Sequence, residues 1–192
     1  VTLAQIKENQ GVWPISGIEE PRPALTDYEF ATESGTMQVY YDDMVDFGQE
    51  LPNWEHNLEV YPDNPDRKQY PLQLLNTKTR FRIHNQFNDS AWLAQYYRPT
   101  AHANPADLSA VGVKSGDTVR IVNDRGSCKV PVVANEAIRP GVIRLYEGAT
   151  ADYTAEGNMQ YLTNGEVIER GEALAMGPVI PFNDTIVRIE KA

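Results

Sequence analysis

The stretch that decides the fold runs from residue 70 to residue 86 and reads YPLQLLNTKTRFRIHNQ. Its first part, residues 71–75, is apolar enough to predict a buried strand. Its second part carries a cation or an imidazole at every other position, namely Lys78, Arg80, Arg82 and His84. If residues 77–84 are extended, these side chains project to one face, because side chains alternate along a strand. Such a row predicts a phosphate-bearing partner, which guanidinium binds with two hydrogen bonds and ammonium binds as a point charge.

The distribution of charge along the chain leaves a second interpretation of this row open. The formal net charge is −10, from 17 basic and 27 acidic residues, which argues against general binding to nucleic acid or anionic membranes. Residues 1–69 carry 4 Lys or Arg against 14 Asp or Glu, residues 70–148 carry 10 against 6, and residues 149–192 carry 3 against 7. The cationic middle third is either a solvated face that pairs with the acidic first third, or a site for a compact anionic ligand.

Length and composition exclude several classes of protein. The 192 residues predict one domain, or one domain with an appendage. No apolar stretch approaches the roughly 20 residues of a membrane-spanning helix. The single cysteine, Cys128, leaves no internal disulfide, Cys-rich zinc site or iron–sulfur cluster, and its place in a predicted strand indicates a buried, inert thiol. The sequence contains neither a Gly-rich phosphate loop nor a nucleophile elbow. It begins at Val1 without a Met, so we expect a piece of a longer protein.

Short strands follow one another at a spacing of about ten residues. Alternating apolar side chains predict strands over residues 118–122, 128–134, 142–146 and 185–189. Within the second of these, Pro131 predicts an edge or a break in pairing, because proline has no N–H to donate. Glycine-containing turns between the strands favour a small β-barrel or a sandwich.

One short helix is predicted over residues 104–112. Asn104 suits the N-cap, Pro105 the first helical position and Gly112 the left-handed C-terminal position. Other patterns predict a short strand over residues 36–40, helical turns over residues 42–47 and a helix over residues 88–97. The rest of the first third is rich in prolines and acids, which predicts an irregular connector.

Residues 70–86 resemble the segment that opens the C-terminal molybdopterin-dinucleotide-binding domain of the dimethyl sulfoxide reductase family. Further motifs of that domain follow in the same order, as Asn104-Pro-Ala-Asp, Gly112-Val-Lys-Ser-Gly-Asp, Val122-Asn-Asp-Arg-Gly and Pro140-Gly-Val-Ile. Residues 34–39 are similar to the region shortly upstream of the domain. Leu174-Ala-Met-Gly together with Val187-Arg-Ile-Glu-Lys is similar to its end. The resemblance covers about residues 30–192.

The resemblance implies a mainly β fold, a six-stranded double-psi β-barrel with short helices and an extended N-terminal segment. Such a domain grips the guanosine-diphosphate arms of a bis(molybdopterin guanine dinucleotide) cofactor that carries Mo or W. By position, the implied cofactor-binding residues are Thr77, Lys78, Arg80, Arg82, His84, Asn85, Gln86, Asn104 and Gln160. Three positions depart from the family pattern: Asn85 stands where Ser is frequent, Gln160 where Asn is frequent, and Met176-Gly-Pro where Lys-Gly-Asn is frequent.

The resemblance also implies what the parent protein does. Residues 1–69 are expected to be a connector from the preceding part of a molybdenum oxidoreductase, and residues 70–192 its cofactor-binding barrel. The metal-ligating residue and any iron–sulfur cysteines of the family lie upstream, so we expect no catalytic or metal-binding residue here. The fragment alone is expected to be inactive and without its cofactor.

Expected partners are the N-terminal domains of the parent and an iron–sulfur electron-transfer subunit. Neither nucleic acid nor direct membrane insertion is expected. The parent is expected in the periplasm, at the membrane through partner subunits, or in the cytoplasm.

Two other functions stay open on the sequence. The same barrel type serves elsewhere as an interaction or adaptor module without a redox role, which would need a self-contained barrel with a clear boundary. A small self-sufficient barrel enzyme of the pyruvoyl type would need a self-processing Gly-Ser pair. The one such pair, Gly126-Ser127, lies in a predicted hairpin turn.

Overall fold

The computed structural model describes residues 1–13, 28–168, 171 and 179–192. The chain divides into two compact units, residues 1–42 and residues 43–192. The first unit contains helix α1 (Leu3–Glu8), which begins with a capping box formed by Thr2 and Gln5. Within the described ranges, no helix is long and apolar enough to cross a membrane.

The described residues of the second unit form seven strands: β1 (Leu72–Thr77), β2 (Ala101–Ala103), β3 (Thr118–Val122), β4 (Ser127–Ala134), β5 (Val142–Tyr146), β6 (Glu156–Gly157) and β7 (Ile186–Lys191). They pair in the order β2–β5–β1–β7–β3–β4, and a pairing of β2 with β4 closes a ring of six. β6 pairs with β4 outside that ring. The β1–β5 and β2–β4 pairs are parallel, and the others are antiparallel. The prediction of a mainly β, six-stranded barrel is confirmed.

Alternate residues of the strands fill the interior of the barrel. Leu74 of β1, Val119 and Ile121 of β3, Ile143 of β5 and Val187 of β7 are fully buried. Period-two alternation places such residues on one face of each strand, as a closed barrel requires. Each of these side chains contributes about 1.5–3 kcal/mol by leaving water, so the strands are stabilised mainly by this core.

The predicted strands after residue 117 are confirmed as β3, β4, β5 and β7. Within β4, Cys128 and Lys129 pair with β6, and residues 132–134 pair with β2. On one side of the strand Pro131 stays in register with Thr118 of β3. On the other side it lies between the residues that pair with β6 and those that pair with β2, so the predicted break in pairing is found on that side alone.

The predicted short helix is confirmed as α2 (Pro105–Ala110). The Asn104 side-chain oxygen accepts the N–H of Ala106 at 2.9 Å, which satisfies one of the unpaired donors at the helix start. Gly112 has a φ of +68°, the left-handed conformation expected just after a helix. The helical turns predicted over residues 42–47 are confirmed as a 3₁₀ helix.

Residues 36–40 form no strand, so that prediction is wrong. Their Met37 and Val39 side chains are largely exposed. A β-rich composition yields a strand only where a second strand pairs with it and one face is covered.

Residues 88–97 form no α-helix, which also contradicts the prediction. Only Leu93–Gln95 makes a 3₁₀ turn. Trp92 and Tyr96 contact each other edge to face and remain largely exposed. The apolar spacing is that of a helix, but no core covers this face, and tertiary packing provides most of a helix's stability.

Residues 43–69 belong to the same compact unit as the barrel. The Asp184 carboxylate accepts three successive backbone N–H groups, from Leu58, Glu59 and Val60. The division of the chain after residue 69 stays a prediction about the parent protein. Predicted connector residues 14–27 and the family-like residues 174–178 lie outside the described ranges.

Candidate cofactor-binding site

The cationic segment after β1 is not extended. β1 ends at Thr77, and a turn begins at Arg80. The Thr79 hydroxyl accepts the backbone N–H two residues further on, at 3.2 Å. His84 has a φ of +52°, a conformation outside the β region. The prediction that residues 77–84 are extended is therefore wrong, because local side chain–backbone bonds replace the ladder of a strand.

The turn nevertheless brings Lys78 and His84 together. Lys78 Nζ lies 3.3 Å and His84 Nδ1 lies 3.2 Å from the same oxygen, Glu147 Oε1. Strands β1 and β5 are parallel and pair as far as Thr77 with Tyr146, so the residues that follow them leave the barrel side by side. The Lys78 and His84 side chains are 73% and 65% exposed, so a ligand can reach both of them from solvent.

Arg82 lies beneath this pair and is buried. Its guanidinium donates to the Asn88 side-chain oxygen, to the Tyr97 hydroxyl at 3.3 Å and to the Glu147 carbonyl at 3.3 Å. It also lies over the Tyr97 ring, 4.9 Å from the centroid. Burial raises the pKa of Tyr97, and the Arg82 charge opposes that rise. We refer to Lys78, Arg82 and His84 as the cation cluster.

Gly148 allows the turn that follows β5 to contact the turn that contains His84. Its φ is +81°, and a Cβ at this position would lie 1.9 Å from the His84 carbonyl oxygen. The Asn88 side-chain amide links the same two segments, because its Nδ2 donates to the Gly148 carbonyl at 2.6 Å and to the Asn85 carbonyl at 2.8 Å. A side chain other than hydrogen at residue 148 would separate the turns and disperse the cation cluster.

The remaining predicted residues of this segment lie around the cluster. Arg80 is exposed, with its guanidinium 5.4 Å from the Phe81 ring centroid. Asn85 and Gln86 are exposed as well. Thr77 Oγ1 is buried and has no hydrogen-bond partner among the described residues. These residues border the place where a ligand would meet the cluster.

Asn104 lies elsewhere. Its oxygen caps α2, and its Nδ2 donates to the Ile138 carbonyl at 2.8 Å. β2 runs antiparallel to β5 and pairs Ala103 with Ile143, so Asn104 follows β2 at the end of β5 opposite to the cation cluster. Asn104 therefore lies level with Val142, five residues from Glu147, which is roughly 16 Å at 3.3 Å per residue.

Gln160 lies beside the β3–β4 hairpin. It belongs to the 3₁₀ turn Met159–Tyr161, and its N–H donates to the Asn158 side chain at 2.9 Å. A Cβ on Gly126 in the hairpin would lie 3.0 Å from Tyr161. Among the described residues, no hydrogen bond links Gln160 to the cation cluster. Its predicted contact with the cofactor stays a prediction, as does that of Asn104.

A cavity of about 340 Å³ adjoins the cluster. Arg82 and Asn88 line it together with Phe87, Tyr97 and Tyr153. Aromatic walls with a few polar groups are typical of sites that bury part of a small molecule.

Sequence reasoning missed Glu147, Tyr97 and Gly148. Glu147 and Gly148 directly follow a correctly predicted strand, so a turn at this point was foreseeable. Their proximity to Lys78 was not, because it depends on the parallel pairing of β1 with β5, two strands that are far apart in the sequence.

The described part of the chain contains no group of three or more His, Cys, Asp or Glu residues that could hold a metal ion. Cys128 is fully buried in β4, and burial raises its pKa to about 12. The prediction of a buried thiol is confirmed, and its protonated form is a poor nucleophile.

Comparison with known proteins identifies the family. A family model described as "Molydopterin dinucleotide binding domain" matches residues 72–173, which is more than half of the chain and includes the cation cluster. The chain belongs to the molybdopterin dinucleotide-binding domain family. The resemblance recognised in the sequence is therefore confirmed.

Three relatives of this molybdopterin dinucleotide-binding domain are large proteins. It is 33% identical to a protein of Halobacterium salinarum whose name describes the catalytic chain of a dimethyl sulfoxide reductase, over 91% of this chain and 21% of that protein. It is 31% identical to the dimethyl sulfoxide reductase DmsA of Escherichia coli, over 83% and 21%. It is 34% identical to trimethylamine-N-oxide reductase 1 of Escherichia coli, over 63% and 15%. The chain thus spans about a fifth of these relatives, which contain further regions.

A solved structure supports the fold of the molybdopterin dinucleotide-binding domain. The acetylene hydratase from Pelobacter acetylenicus superposes with a TM-score of 0.71 over 86% of this chain and 24% of that one, at 18% identity. The likeness confirms the expected double-psi β-barrel architecture.

Proposed function

We propose that this chain is the C-terminal domain of a larger molybdenum or tungsten oxidoreductase. In that parent it grips the guanosine-diphosphate arms of a bis(molybdopterin guanine dinucleotide) cofactor. The observation that carries the proposal is the meeting of Lys78, Arg82 and His84 at Glu147, where β1 and β5 end. The family match and the names of the relatives support the cofactor and the class of the parent.

The residues present fit a pyrophosphate. Lys78 and Arg82 carry permanent positive charges, and His84 adds an imidazole, against the one carboxylate of Glu147. Phosphate oxygens accept the short, charge-assisted bonds that these donors form. Arg82 Nε is buried and has no hydrogen-bond partner among the described residues, which leaves one donor for a ligand or a water to satisfy.

The chain's own residues bind and orient the group. When bound, the cofactor supplies the metal that carries the electrons, while the protein supplies position and electrostatics. Lys78 provides a mobile point charge, and His84 provides a ring N–H held by the tight turn. Arg82 contributes from the buried side of the site. Its hydrogen bond to the Glu147 carbonyl holds the segment after β1 against the segment after β5.

Isothermal titration with guanosine diphosphate at low ionic strength tests the proposal. Lys78→Ala is expected to weaken binding by about fivefold to tenfold, the effect of losing one phosphate contact. Lys114→Ala removes an exposed lysine from the turn that precedes β3 and should leave the affinity unchanged. No binding by the unaltered chain at millimolar nucleotide, or an equal loss in both variants, would overturn the proposal. An absence of binding by the unaltered chain would instead favour an adaptor module.

The family also supports two properties of the parent. We infer that its partners include an iron–sulfur electron-transfer subunit. We also infer that the parent lies in the periplasm, or at the membrane through such a partner. Fractionating cells that express the whole parent, followed by iron analysis of the purified complex, tests both inferences. A parent found only in the cytoplasm and without iron would refute them.

A further inference from the structure

We propose that Glu147 is an internal substitute for the ligand's phosphate: its carboxylate occupies the cation cluster in the free protein and is displaced when a diphosphate binds. Glu147 thereby sets the affinity of the site by competition. This inference rests on the proposed function, since the anion concerned is the diphosphate of the nucleotide arm.

The first support is that one carboxylate oxygen is shared by a lysine ammonium and a histidine ring nitrogen. Glu147 Oε1 lies 3.3 Å from Lys78 Nζ and 3.2 Å from His84 Nδ1. Lys78 and His84 are themselves 3.5 Å apart, between Nζ and Nε2. An anion between two neighbouring donors is the arrangement that a phosphate oxygen would adopt.

The second support is that the side chain can leave without disturbing the backbone. The Glu147 N–H donates to the Thr77 carbonyl at 2.9 Å, and its carbonyl accepts from Arg82. These bonds hold residue 147 whichever way its carboxylate points. The side chain is 21% exposed, so rotation toward solvent restores its hydration.

The third support is electrostatic. A phosphate that bonds to Lys78 and His84 would lie within a few ångströms of the Glu147 carboxylate, and two like charges at that distance repel each other strongly at a protein surface. Either the carboxylate or the phosphate occupies the position. Removal of the Glu147 charge should therefore strengthen anion binding, whereas removal of an ordinary binding residue weakens it.

Titration of three proteins with guanosine diphosphate, inorganic pyrophosphate and guanosine tests the inference. Glu147→Gln, which keeps the shape and removes the charge, should bind guanosine diphosphate and pyrophosphate about tenfold more tightly than the unaltered chain. Its affinity for guanosine, which has no phosphate, should not change. Glu156→Gln is the matched control, because Glu156 also joins two cations, Lys129 at 2.5 Å and Arg120 at 3.6 Å. This control should change diphosphate affinity less than twofold.

The outcomes separate this inference from the proposed function. If the unaltered chain binds guanosine diphosphate and Glu147→Gln binds it equally or more weakly, Glu147 orients the cluster and the inference is wrong, while the proposed function stands. If the unaltered chain binds guanosine diphosphate and Glu147→Gln binds it about tenfold more tightly, both are supported. If neither protein binds and circular dichroism shows both folded, both fail. An equal gain in Glu156→Gln would reduce the effect to net charge and overturn the inference alone.

Discussion

Glu59 and Arg125 form a bidentate ion pair, with Oε1 2.6 Å from Nη1 and Oε2 3.1 Å from Nη2. Oε2 also accepts the N–H of Ile186, the first residue of β7, at 3.1 Å. Glu59→Ala should lower the free energy of unfolding by about 2–3 kcal/mol, because charged donors and a backbone N–H lose their acceptor. Urea unfolding measures this. Glu190→Ala, which removes the partner of Arg188 in a more exposed pair, should cost less than about 1 kcal/mol. Equal costs would contradict the expectation.

Gly148→Ala should disrupt both stability and the site. The added methyl group would meet the His84 carbonyl, and the φ of +81° is itself unfavourable for alanine. We expect a loss of about 3 kcal/mol or more in thermal unfolding, with weakened binding of guanosine diphosphate. Gly112→Ala is the control: its φ is +68° but nothing lies within 4 Å of the new Cβ, so about 1 kcal/mol is expected. Similar losses in the two variants would show that the contact at His84 is unimportant.

Cys128 should make stability fall in alkali. Burial raises its pKa from 9.0 to about 12 in the folded chain, so above pH 9 only the unfolded thiol ionises. The folded state then binds more protons than the unfolded state, and stability falls by about 1.4 kcal/mol per pH unit between pH 9 and pH 12. Urea unfolding of the unaltered chain and of Cys128→Ala at pH 8, 9 and 10 should show their difference changing only above pH 9. A constant difference would refute a buried, protonated thiol.

Asn104→Ala should lower stability, and its effect on nucleotide binding tests the cofactor contact that the family resemblance implies. The side chain caps α2 and bonds to the Ile138 carbonyl, so its loss should cost about 1–2 kcal/mol. Asn104→Asp keeps the capping oxygen and loses only the donor, so it should cost less. Chemical denaturation and titration with guanosine diphosphate measure the two effects. A large loss of affinity in a fully folded Asn104→Ala would show that the family-implied role of Asn104 outweighs its place in the fold.

Local sequence patterns correctly predicted the elements whose formation depends mainly on interactions between neighbouring residues. The strands β3 and β5 follow from alternating apolar side chains, and α2 follows from an asparagine cap and a closing glycine. The strand expected at residues 36–40 and the helix expected at residues 88–97 failed for one reason. Both needed a neighbour to cover an apolar face, and whether such a neighbour exists is a tertiary property.

The sequence predicted the wrong geometry for the segment that follows β1, although it singled out two side chains that the structure brings together. Alternation placed Lys78 and His84 on one strand face, whereas a turn closed by Thr79 brings them together. The turn has this form because Gly148 lies against His84, and that contact arises from the pairing of two strands that are distant in sequence. Charge alternation therefore singled out Lys78 and His84, whose binding of phosphate stays a prediction, but no local signal gave their carboxylate partner.

β7 occupies the position between β1 and β3, although it is made of residues 186–191. A ribosome that synthesises this chain therefore releases all the other strands of the ring first. β7, which pairs with both β1 and β3, follows after them. Until β7 pairs with them, the edges of β1 and β3 expose unpaired backbone groups and part of the apolar interior. Exposed strand edges of this kind promote pairing with other chains. Closure of the ring must wait until residue 191 has left the ribosome, and a nascent chain stalled before β7 would be prone to aggregation.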